Sequence, residues 1–182
     1  MEEQNNNREV LKEMQRSYMN KVLYDGLKVG AFFALQALSL LLYRWGLFST
    51  LLLIIGFVAV PVLLYRLTVQ MREKTLEGYI RYMQAVSYMS WVYMASLVVA
   101  FLCFYFVSYL LFNDPVFISQ VEQALELLQS MSAQGKEISA AMMEVMRGVT
   151  PIQMAGNIIL NAFVNGMIYI YIVCLFIKRR AQ

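Results

Sequence analysis

Four long apolar stretches separated by short charged segments dominate the chain. They cover residues 27–43, 47–65, 86–112 and 158–177, each close to or above the roughly 20 residues a helix needs to cross a bilayer. The third is long enough to tilt or to project beyond the hydrocarbon. Backbone N–H and C=O groups in lipid must be paired within their own segment, so the stretches are predicted as helices and not strands. Only Arg44, Trp45 and Gly46 separate the first two. This predicts a tight hairpin, with Tyr43 and Trp45 at the depth where interfacial aromatics sit.

Two further segments carry a helical pattern of a different kind. Residues 1–26 open with a polar cluster, Gln4 to Asn7. Val10 or Leu11, Met14, Tyr18 and Val22 then recur at helical spacing among Glu9, Lys12, Glu13 and Arg16. That is the pattern of an amphipathic helix at the membrane interface, or of a simple polar leader. Residues 113–157 form the other segment. Asp114 is placed to cap a helix whose first residue is Pro115. Phe117, Val121, Leu125 and Leu128 line one side of that helix, and Glu122, Glu126 and Gln129 the other. Gly135 interrupts, and a second amphipathic stretch follows with Ile138, Met142, Val145 and Met146. Gly148 reads as a helix stop and Thr150-Pro151 as the next start. The expected architecture is therefore all-α: a single membrane domain over 1–182, a four-helix bundle with an extracytoplasmic amphipathic helical hairpin between spans 3 and 4.

Composition agrees. Of 182 residues, 60% are hydrophobic and 15% charged, against about 45–50% and 25% in soluble domains. The distribution of positive charge sets orientation. Twelve of the fifteen Lys and Arg residues lie on one side: Arg8, Lys12, Arg16, Lys21, Lys28, Arg66, Arg72, Lys74, Arg81, Lys178, Arg179 and Arg180. Arg44, Lys136 and Arg147 lie on the other. The positive-inside rule puts the first group, and both termini, in the cytoplasm. Basic residues confined to span ends, with a net charge of only +3, give no reason to expect nucleic-acid binding. The first apolar run is not followed by a small-residue cleavage pattern, so no cleavable signal peptide is expected.

Candidate chemistry is sparse. The chain has no histidine, the commonest general base and metal ligand. Cys103 and Cys174 each lie inside an apolar run and read as buried thiols. No Ser/His/Asp set, phosphate loop or metal-spaced cysteine cluster occurs. The expectation is a protein that is not an enzyme, with no catalytic residue, metal or cofactor. Asp25, Lys28, Arg44 and Arg66 stand at span ends, where their side chains are expected to reach water. The acids of 113–157 read as a solvated face in preference to a ligand site.

The polar residues inside the spans say more. Asn157, Asn161 and Asn165 recur every four residues on the last span and share one face, and Gln36 lies in the first span. An amide turned to lipid is unfavourable, so the stripe should face inward or toward a partner. One reading is hydrogen-bonded glue between helices; the other is a polar groove for a lipid head group or a small solute. Two function classes follow, with the first preferred: a non-catalytic accessory or scaffold subunit, or a carrier or binding module for a lipid or small solute.

Several landmarks occur in a recognisable order. Glu77-Gly78-Tyr79-Ile80-Arg81-Tyr82-Met83-Gln84-Ala85 precedes the third span, and Asn113-Asp114-Pro115-Val116-Phe117 follows it. Thr150-Pro151 leads into a last span ending in Lys178-Arg179-Arg180. Over roughly residues 20–180 the chain resembles the bacterial four-span membrane family known as domain of unknown function 4199. Glu77 stands where that family has a second glycine beside Gly78. The resemblance implies a bacterial cytoplasmic (inner) membrane protein and supplies no activity. It also implies, by neighbourhood of encoding only, a polyprenyl-phosphate glycosyltransferase as a membrane-protein partner; a homo-oligomer is the other association considered.

Overall fold

The computed structural model describes residues 2–43, 46–75, 78–131 and 148–177. Among them lie five α-helices and no strand: α1 (Glu2–Leu41), α2 (Leu47–Thr75), α3 (Tyr82–Phe112), α4 (Pro115–Met131) and α5 (Pro151–Ile177). The second half of the expected hairpin, Ile138 to Met146, lies outside the described residues, as do Arg44 and Trp45.

Local chemistry sets the helix ends. Gly46, at φ +42°, takes the left-handed conformation that a side chain disfavours. Its N–H reaches the Tyr43 carbonyl at 3.1 Å, and its own carbonyl accepts from Thr50 N–H at 3.1 Å, so α2 starts directly out of the turn. Gly78, at φ +83°, reverses the chain after α2, with its N–H on the Arg72 carbonyl at 3.0 Å. Asp114 Oδ1 accepts the Val116 N–H at 3.0 Å, an N-cap with Pro115 in the first helical position. Thr150 and Gln153 form a reciprocal capping box: Gln153 N–H donates to Thr150 Oγ1 at 3.3 Å and Thr150 N–H to Gln153 Oε1 at 2.9 Å. The last helix thus begins at Pro151, a turn and more before its continuous apolar stretch.

Among the described residues, three helices are long and apolar enough to cross a membrane: α2, α3 and α5. α1 does not reach that standard. Its apolar part ends at Leu41 and carries Lys28, Gln36 and Ser39. The leader and the first apolar stretch form one uninterrupted helix, about 60 Å long at 1.5 Å per residue, and not two. Val10, Leu11 and Met14 remain exposed on its free end, while Val22 is buried.

Packing runs in the order α2–α1–α3–α5, with α3 wedged between α1 and α5, and α2 and α5 touching only sparingly. Close approach of α1 to α3 rests on two glycines four residues apart. A Cβ on Gly26 would lie 2.6 Å from the Ala95 Cβ, and one on Gly30 would lie 2.9 Å from the Val99 Cβ. Small residues at this spacing let helix backbones meet in lipid, where apolar burial supplies no driving force. Val22, Val29, Phe33 and Ala37 of α1 join Val92, Leu97, Ala100 and Val107 of α3 in the core. The outward faces keep Leu51, Phe57, Val98, Phe106, Ile168 and Phe176 exposed. At the end carrying most of the basic residues, Arg72 is buried and donates from Nη1 to the Ile177 carbonyl at 2.9 Å, placing a cation where the α5 dipole is negative.

At the opposite end α4 is fastened to the tip of α1. Tyr43 O–H donates to Asp114 Oδ2 at 2.7 Å, and the rings of Tyr43 and Phe117 meet edge-on with centroids 5.2 Å apart. Leu125 is buried, while Glu122 and Glu126 are exposed, the two sides the helical spacing predicted.

Candidate functional site

Because α2 and α5 hardly meet, a groove of about 580 Å³ opens between them. Its walls are Phe57, Pro61 and Leu64 of α2 and Ile158, Ala162 and Gly166 of α5; α1 and α3 contribute the floor through Phe33, Tyr93 and Phe104. Gln36, Asn161 and Asn165 are among its lining residues. The structure therefore brings three of the four residues singled out in the sequence to one place. Asn157 shares the stripe but lies outside the lining.

Among the described residues, none of the three asparagine side chains hydrogen-bonds to another helix. All three are exposed. Asn161 Nδ2 donates to the Asn157 carbonyl at 3.0 Å and Asn165 Nδ2 to the Asn161 carbonyl at 2.9 Å, so these two side chains bond back to their own helix. One N–H and the side-chain carbonyl of both Asn161 and Asn165 have no partner among the described residues, and neither has the amide of Gln36. Gln36 lies against Gly56 of α2; a Cβ at position 56 would collide with the Gln36 Cγ and carboxamide.

Tyr93 holds the floor to the α5 wall. Its hydroxyl donates to the Ala162 carbonyl at 2.7 Å, and its ring occupies the space that a side chain at position 166 would need. The Phe33 ring lies 6.1 Å away, tilted against it. Pro61 adds one more polar feature. Having no N–H, it cannot donate to the Phe57 carbonyl one turn earlier.

A second polar cluster corrects the expectation for Asp25. Its side chain does not reach water; the residue is 5% exposed in the α1–α3 interface. Asp25 Oδ2 accepts the Tyr88 hydroxyl at 2.5 Å, and Oδ1 accepts Lys28 Nζ at 2.9 Å. Lys28 is the part that reaches outward, over the Tyr24 ring with its nitrogen 4.1 Å from the centroid. Tyr18 leans against Tyr88 with ring centroids 6.2 Å apart. Burial raises the Tyr18 hydroxyl pKa, partly opposed by its hydrogen bond with Ser87, so the phenol is neutral at physiological pH. The Asp25 carboxylate is fully partnered and joins α1 to α3. A sequence signal for half of this was present in the Asp25/Lys28 spacing; Tyr88 is too far along the chain to have been linked to it.

Neither the curated proteins nor the solved structures contain a match to this chain. Its kinship is visible at the level of families: residues 24–179 match the family described as "Protein of unknown function (DUF4199)". That match takes in the Gly78 turn, the Asp114 and Thr150 caps and the whole groove, and the chain belongs to this family.

Proposed function

We propose that the protein is a non-catalytic accessory protein of the bacterial cytoplasmic membrane, spanning it four times with both termini inside, and that it associates with a second membrane component through the α2–α5 groove. Support for the fourth span comes from α1's neighbours. α1 is flanked by α2 and α3, both apolar enough to cross, and lies against α3 through Gly26 and Gly30. This packing supports a shared depth for the three helices. The polar side chains of α1 suit that position: Ser39 Oγ donates to the Gln36 carbonyl at 2.7 Å, and the Ser39 carbonyl accepts Ser49 Oγ at 2.6 Å. The distribution of Lys and Arg supports the orientation.

The observation that carries the functional reading is the groove itself: a lateral opening, apolar for most of its surface, with three amides of unused hydrogen-bonding capacity. Polar groups without partners are costly in hydrocarbon, so the groove is suited to a companion that brings both apolar surface and polar atoms. The test is gentle extraction from the native membrane and mass spectrometry of what remains bound, for the wild type and for Asn161→Leu/Asn165→Leu. The expected result is a companion that is lost from the variant while its helicity and thermal midpoint are kept. A companion retained in full by the variant would refute the groove as the contact, and turnover of a substrate by the purified chain would refute the non-catalytic reading.

A further inference from the structure

We draw no further inference here: the strongest candidate, the open and mostly apolar pocket of about 390 Å³ at the basic end of the bundle, walled by Tyr18, Met71, Ile80, Met83 and Tyr88, carries nothing because nothing in the structure shows what covers it.

Discussion

Replacing Asp25 tests how the bundle is held at its basic end. Tyr88 is 1% exposed and gives its hydroxyl to a carboxylate that is itself buried. Asp25→Ala leaves that O–H without a partner, at about 1–3 kcal/mol for a buried donor. The Lys28 side chain is 42% exposed, so its ion pair is largely screened and adds no more than about 1 kcal/mol. Part of the loss is offset, because the carboxylate no longer has to be held out of water. The net expectation is a destabilisation of about 2 kcal/mol. Asp25→Asn, which keeps an acceptor for Tyr88, should cost about half as much. The assay is reversible unfolding by sodium dodecyl sulfate in mixed micelles, followed by helicity. A double-mutant cycle with Tyr88→Phe isolates the pair and should give a coupling of about 1–2 kcal/mol. A coupling under about 0.5 kcal/mol, within the usual error of additivity, would mean that the buried contact is not what joins α1 to α3. A large effect of Lys28→Ala, comparable to that of Asp25→Ala, would mean that the ion pair was wrongly discounted.

Three further outcomes are expected. Gly30→Leu forces a side chain into the Val99 contact, where even a Cβ would be at 2.9 Å; overpacking of this kind should cost about 1–3 kcal/mol in the same unfolding assay, and a neutral result would show that α1 and α3 can separate freely. Asp114→Ala removes both the α4 cap and the Tyr43 hydrogen bond, so amide exchange in α4 should speed by about tenfold with α3 unchanged; equal protection in the variant would show that α4 is secured by something else. In a background with both native cysteines replaced by serine, Ser132→Cys should react with an impermeant maleimide from outside intact cells and Thr75→Cys only after permeabilisation. Labelling of Ser132→Cys only after permeabilisation would overturn the proposed topology.

Much of the architecture was legible where the signal is local. Asp114-Pro115 and Thr150-Pro151 marked helix starts because a cap acts within four residues of itself. Gly78 was read as part of a motif, and its left-handed conformation explains why glycine is needed there. Sequence and structure part over α1. Its length between polar ends suggests a span, yet Lys28, Gln36 and Ser39 weaken its apolar character, and only packing shows how those groups are accommodated. Gly26 and Gly30 carried a readable spacing whose meaning depended on Ala95 and Val99. The asparagines recur every four residues along one continuous helix, and helical period sets which face they share. Which way the face turns is decided by the gap between α2 and α5, and no periodicity reports a gap. Tyr93 and Gly166 belong to the site through a fit between two distant helices, and neither residue type distinguishes itself along the chain.

The sparing contact between α2 and α5 has a mechanical consequence. In cross-section the four long helices make a ring with one open seam, and Arg72 to the Ile177 carbonyl stitches that seam at a single end. Elsewhere along the seam, α2 is held chiefly by its grip on α1. At the far end α2 is tied to α1 by the Tyr43–Gly46 turn and the Ser49–Ser39 hydrogen bond, so the α2 side of the seam is anchored at both ends. The seam is thus a slot framed by secured helices: α1 and α3 close its back, and the α2–α5 side is where the groove opens to its surroundings.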